Sequence, residues 1–311
     1  MIYVLLSFWI FSAVLVIKER RIVGMIVYLG IFSVVSSVCF LYLGAPDVAM
    51  AEAAVSTFST IFLVVCFEKY FSLGKPMSNE PSQISIIAAK LKNRKVALVF
   101  TVSLLALFMY FMPKSPTASV AREMYIERFK NDVGGENSVT AVYLGYRIYD
   151  TLFEALMLLV SVAAVSHMSW YSDDIEGTEL IRGVGETDKI AIYTIRIVCP
   201  IILLFGIYLI LNGHISPGGG FQGGVAIAAF FICRYLIYNI GDVRFKTIAI
   251  VEKLVFASIV ALAACFILLG LHVYFPEMRT LYLLAMNTLI GMKVACGFMV
   301  IFYRYIAFER R

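Results

Sequence analysis

Nine apolar stretches of roughly membrane-spanning length dominate the chain, at 2–17, 22–43, 48–67, 96–112, 141–168, 190–211, 225–240, 248–271 and 281–303. A helix rises about 1.5 Å per residue, so about 20 apolar residues cross the hydrocarbon layer. Backbone polar groups have no water partner there, and a helix satisfies them within its own segment. The first, fourth and seventh stretches are short and are expected to extend into flanking polar residues. Composition agrees: 61% of the 311 residues are hydrophobic and 15% are charged, against about 25% charged in a soluble domain. One soluble core cannot hide so much apolar surface. The sequence predicts an all-α, polytopic membrane protein with about nine transmembrane helices. It excludes a soluble globular enzyme and a disordered chain.

The apolar run begins at Met1 without a basic region before it, and no small-residue cleavage site precedes Lys18-Glu19-Arg20-Arg21. It therefore reads as the first span, not as a cleaved leader. The six cysteines (Cys39, Cys66, Cys199, Cys233, Cys265 and Cys296) lie in apolar runs and form no C-x-x-C pair. They read as small buried hydrophobes. The three histidines, His167, His214 and His272, are far apart, and neither a P-loop lysine nor a dinucleotide fingerprint is present. No catalytic residue, no cofactor and no metal site is expected.

Basic residues set the orientation. With the N-terminus outside and the C-terminus in the cytoplasm, the inside segments 18–21, 68–95, 169–189, 239–247 and 304–311 hold 16 Lys and Arg. The outside loops 113–140 and 272–280 hold five. This is the positive-inside bias, and it accounts for the net charge of +5 without nucleic acid. The segment 169–189 also carries six acids, which contribute little to topology. Two polar joints, 68–95 (with an amphipathic piece from Ile84 to Leu91) and 169–189, suggest three parts: 1–75 with three helices, 76–175 with two, and 176–311 with four.

A charged side chain at mid-bilayer costs about 2.5–3.5 kcal/mol on insertion scales, so each one kept there needs a counter-charge or a wet cavity. In Gly44-Ala45-Pro46-Asp47, Pro46 suits a helix start and Asp47 the positive end of the helix dipole. Glu52 lies about 7 Å deeper among small residues, Ala49 to Thr60, that allow close helix packing. Its readings are proton handling, or a protonated acid bonded to a backbone carbonyl. Arg147, Asp150 and Glu154 share one helical stripe. Arg147 is expected to hold Asp150 ionised, while Glu154, one turn deeper without a local cation, is expected to be desolvated and fit to relay a proton. Glu252 lies inside the eighth stretch beside Lys253, which can snorkel. Lys293 lies about 15 Å from the end of the ninth, beyond snorkelling reach, and must meet an acid or a cavity. The run Asn212-Gly213-His214-Ile215-Ser216-Pro217-Gly218-Gly219-Gly220-Phe221-Gln222-Gly223-Gly224 reads either as a tight outer hairpin or as irregular backbone lining an ion site.

The run from Gly213 through His214, Pro217, Gly218, Gly219, Gly220, Gln222 and Gly223 to Gly224 resembles the signature of the B subunit of Mrp-type sodium/proton antiporters. The same domain occurs in membrane-bound hydrogenases. Glu252 and Ile290-Gly291-Met292-Lys293-Val294 are similar to later parts of that domain. Gly44 through Glu52 resembles a three-helix domain toward the C-terminal side of the antiporter A subunit, and Asn137 to Ala141 with Arg147, Asp150, Thr151 and Glu154 resembles the piece that follows it. The resemblance is thus to an A-subunit tail fused to a B subunit, without the run of helices that resembles the pumping subunits of respiratory complex I.

That resemblance implies an integral, non-catalytic subunit in the cell membrane. Its partners would be other antiporter subunits, both complex I-like pumping subunits and small membrane subunits, with Na+ and H+ as ions. Glu52 and Glu154 would relay protons; Glu252, Lys293 and the glycine hairpin would line a second path. Two other readings stand beside it: a non-conducting scaffold linking antiporter-like subunits to a peripheral hydrogenase-like redox module, and an autonomous transporter.

Overall fold

The computed structural model describes residues 2–19, 21–67, 94–111, 119–168, 189–237, 245–268, 275 and 277–307. These residues are helical apart from short connections, and no strand occurs among them. Two compact units are present, 1–72 with 127–311, and 73–126.

The larger unit opens with α1 (Ile2–Lys18), α2 (Ile22–Tyr42) and α3 (Pro46–Phe67). Helix α2 stops because Gly44 turns into the left-handed region at φ 75°, which costs a glycine nothing. The amides of Gly44 and Ala45 then donate to the carbonyls of Leu41 and Phe40, closing the orphan carbonyls of the helix end. Pro46 starts α3 at the next residue, where its missing N–H is no loss.

In the smaller unit α4 (Arg94–Phe111) presents Val99, Phe100, Val102, Leu104 and Leu105 as exposed apolar side chains. Helix α5 (Ser119–Val133) begins in that unit. The larger unit continues with a short helix, α6 (Ser138–Ala141), one wider π-helical turn (Val142–Tyr146), and α7 (Ile148–Met168). They are followed by α8 (Lys189–Asn212), α9 (Gly220–Ile237), α10 (Phe245–Leu268) and α11 (Met278–Ala307).

Six of these helices are long and apolar enough to cross a membrane, namely α2, α3, α7, α8, α10 and α11. The chain is a multi-pass helical membrane protein. The expected stretches 2–17, 96–112 and 225–240 hold α1, α4 and α9, of 17, 18 and 18 residues. Two expectations need correction. The segment 113–140, expected as an outside loop, contains α5, a polar helix. The stretch 141–168 is not one helix: Arg147 N–H donates to Val142 O at 2.8 Å, an i→i+5 bond that inserts one extra residue and shifts every side chain beyond it. Of the joints, 68–93 and 169–188, including the piece Ile84–Leu91, lie outside the described residues.

Packing follows membrane logic. Lipid tails are as apolar as leucine, so helices associate through close contact, small residues and polar groups. Helix α9 packs between α8 and α11 and also against α3. A Cβ on Gly224 would lie 2.6 Å from Gly291 O on α11, and one on Gly223 2.5 Å from Gly206 O on α8. The core around α9 and α11 holds Val225, Ala228, Ile232, Ile259, Leu283, Met286 and Phe302. Phe58 of α3 meets Phe298 of α11 edge-on, with ring centroids 4.6 Å apart. The exterior is apolar, with Phe8, Phe11, Tyr149, Phe153, Met157, Ile197 and Leu204 exposed, while Glu252, Asn287 and Lys293 are fully buried.

Candidate functional site

Two polar constellations lie inside the larger unit. The first is built on the turn between α8 and α9. Gly218 and Gly219 adopt φ 146° and 156°, conformations that side chains on L-residues rarely reach. The loop carbonyls and amides are tied to residues remote in sequence. Asn137, ahead of α6, accepts from Val139 N–H through its Oδ1 at 2.9 Å, an ordinary N-cap. Its Nδ2 donates to Asp47 Oδ1 at 3.0 Å, Ser216 O at 3.0 Å and Gly213 O at 3.2 Å. Gly218 N–H donates to the same Asp47 oxygen at 3.0 Å, and Thr140 Oγ1 donates to Gly213 O at 2.5 Å. His214 O accepts from the amides of Glu136 and Asn137. Asp47, Asn137 and Thr140 are all buried.

The π-helical turn carries this network toward α11. Tyr143 OH donates to Asn287 Oδ1 at 2.8 Å, and Gly220 N–H reaches the same oxygen at 3.2 Å. Thr151 Oγ1 donates to Tyr143 O at 2.6 Å, satisfying a carbonyl in the disturbed turn. Tyr282 OH donates to Leu144 O at 3.2 Å. Asn287 Nδ2 and His214 Nδ1 are buried without a hydrogen-bond partner among the described residues. Replacing Tyr143 by Phe removes one of the two donors on Asn287 Oδ1. We expect a loss of about 1 kcal/mol, read as a lower unfolding midpoint of the purified protein; an unchanged midpoint would show the bond to be energetically silent.

The second constellation is the ion pair of Lys293 with Glu252, both at 0% side-chain exposure. Lys293 lies fifteen residues from the start of α11 and fourteen from its end, so the ammonium cannot snorkel out. Glu252 projects from α10. Lys293 Nζ also lies 5.8 Å from the ring centroid of Phe256, one turn beyond Glu252, an attractive cation–π placement. Among the described residues, neither carboxylate oxygen nor the ammonium has a hydrogen-bond partner beyond the pair. Charge is thus held in low dielectric by one contact, and removing either partner strands the other.

The acid expected to meet Lys293 is therefore Glu252, with Lys253 beside it exposed. Arg147 and Asp150 form the expected ion pair, but both are exposed. The stripe faces outward, beyond the π-helical turn at 142–146. Glu154 is exposed on the same side of α7. Glu52 is half-buried on α3 and makes no hydrogen bond or ion pair among the described residues. The glycine run forms the turn between α8 and α9, and side chains of Asp47, Asn137 and Thr140 bond its backbone. Pro217, His214 and Gln222 are half-buried there; Gly218, Gly219, Gly220 and Gly223 are buried.

Sequence reasoning missed Asp47, read only as a helix start, and gave no role to Asn137, Thr140, Tyr143 or Asn287. The cap signal of Asn137 ahead of Ser138-Val139-Thr140 was legible. Its partners, 76 to 90 residues away, were not.

Known proteins resemble this chain. Residues 190–307 match the family model described as a domain related to the MnhB subunit of Na+/H+ antiporter. Residues 7–71 match the MbhD family model, the D subunit of MBH. The chain is 24% identical to a probable K(+)/H(+) antiporter A/B subunit of Rhizobium meliloti (strain 1021), over 70% of this chain and 24% of that protein. It spans less than half the length of the curated relatives it matches first. Among solved structures, the Mrp complex from Dietzia sp. DQ12-45-1b aligns with a TM-score of 0.74 at 20% identity, covering 99% of this chain and 35% of that one. That likeness is one of fold. The membrane-bound sulfane sulfur reductase (MBS), an archaeal respiratory membrane complex, aligns with a TM-score of 0.52 at 25% identity, covering 68% of this chain and 96% of that one. Resemblance to Mrp-type antiporter subunits therefore holds at both ends of the chain.

Proposed function

We propose that this chain, whose two ends resemble an Mrp-type A-subunit tail and a B subunit, is an integral subunit of a multisubunit cation/proton antiport module. The observation that carries this reading is the Lys293–Glu252 pair, fully buried at the middle of α11 within the MnhB-related part. A membrane protein keeps such charges where ions or protons are handled. A carboxyl binds H+ or Na+ in competition, and a neighbouring ammonium biases its charge state.

Nine spans, with the N-terminus outside and the C-terminus in the cytoplasm, and the parts 1–75, 76–175 and 176–311 complete the proposed architecture. Glu52 and Glu154 act at the chain's outer surface, beside other antiporter subunits that cover them. The role is ion translocation with Na+ and H+, not catalysis. The experiment is Glu154→Gln in the assembled complex, assayed in everted vesicles by cation-driven pH change. Exchange is expected to fall about tenfold or more, equal to about 1.4 kcal/mol on a barrier, with subunit composition intact. Wild-type exchange from the intact variant complex would remove Glu154 from the path.

A second reading is a non-conducting scaffold between antiporter-like subunits and a redox module. It is favoured by the likeness to an archaeal respiratory membrane complex and by the outward position of Glu154. In that case Glu52 and Glu154 tolerate neutral replacement, while packing changes along α9 do not. A peripheral hydrogenase-like partner in the purified complex would support it.

A further inference from the structure

We propose that Asp47, the turn carbonyls of Gly213 and Ser216, and Asn137 form a site for a small monovalent cation, with the Asn137 amide as its plug. Three acceptor oxygens from three places in the chain converge within 3.0–3.2 Å of one atom, Asn137 Nδ2. An amide nitrogen has only two protons, so it serves three acceptors imperfectly. One of the three is a carboxylate oxygen. Asp47 is 7% exposed, and its partners are an amide side chain and the Gly218 N–H, with no cation among the described residues. The cradle therefore brings one carboxyl oxygen and two carbonyl dipoles to a single point, with the Thr140 hydroxyl 2.5 Å from one of those carbonyls.

Oxygen donors of this kind, a carboxylate with carbonyls freed at a helix break, are what hard cations take. The glycines are part of the design: Gly213 has no room for a Cβ, which would lie 2.7 Å from the Gly219 Cα. The turn can thus fold tightly enough to aim two carbonyls at one point. Entry of a cation requires Asn137 to rotate its NH2 group away, giving up the cap on Val139 N–H. Occupancy of the cradle and the start of α6 are then coupled, and α6 leads directly into the Tyr143–Asn287 contact.

This site deepens the antiport reading and rests on it for the choice of cation, but binding is measurable without transport. The native complex containing this chain is purified, and hydrogen exchange of the segment 212–224 is followed in NaCl, KCl and choline chloride at equal ionic strength. Exchange at the turn amides is expected to slow about tenfold in Na+ or K+ relative to choline, as for a ligand at about ten times its dissociation constant. The isosteric Asp47→Asn keeps an acceptor for Gly218 and Asn137 and removes the charge, and it should abolish the difference. Asn137→Asp keeps the cap and replaces the plug with oxygen, and it should bring saturation at lower cation concentration.

Identical exchange in all three salts, or a full cation response in Asp47→Asn, overturns the site. Should Asp47→Asn not assemble, Asn137→Asp decides: an unshifted cation response overturns it equally. Vesicle exchange measured on the same preparation separates the two readings. Cation-dependent protection without exchange removes antiport and leaves the site; exchange without protection does the reverse.

Discussion

Glu252→Gln and Lys293→Gln, made singly, should each destabilise the complex by about 3–5 kcal/mol, whereas the double variant should recover most of that loss. Each single change leaves one charge buried at 0% exposure with nothing opposite it, which is the costly state of a buried pair. The double variant buries two neutral amides able to bond one another, and replacing both ions often costs little. Unfolding midpoints of purified complexes give the cycle directly. Transport separates structure from function. If the pair handles protons, the stable double variant exchanges no cation for protons in everted vesicles. Wild-type exchange by that double variant would reduce the pair to a structural bond.

Gly224→Leu should prevent assembly. Its Cβ would meet Gly291 O at 2.6 Å and Val294 Cβ at 2.7 Å, and backbone cannot step aside as a flexible side chain can. The helices α9 and α11 would have to separate, at a cost of about 3 kcal/mol or more, the upper end of overpacking. Gly44→Ala provides the contrast. Nothing lies within 4 Å of its Cβ, and only φ 75° opposes it, so about 1 kcal/mol is expected. Recovery of each variant chain with the purified complex is the measurement. Normal assembly of Gly224→Leu would contradict the helix contact on which the buried pair depends.

Much of the fold was legible because its cause is local. Hydropathy over a membrane thickness located α2, α3, α7, α8, α10 and α11, and Gly44-Ala45-Pro46 marked a stop and a start within three residues. The break in the stretch 141–168 was not legible. An inserted residue leaves the run as apolar as before, and what stabilises it is the Thr151 hydroxyl on a freed carbonyl and the Tyr143 contact across to α11. The Arg147–Asp150–Glu154 stripe was legible as one face of a helix, but which way that face points was not.

By itself the amino-acid order determined that this is a bundle of apolar helices and that Lys293 needs a counter-charge. Length, hydropathy and the cost of an ion in oil act along one segment and can be read from it. Only the tertiary structure chose Glu252 as that counter-charge, and only it turned Asp47 from a helix start into the anchor of a turn 171 residues away. Such pairings depend on how closely two backbones approach, and a separation of ångströms between distant helices leaves no periodic trace in either one.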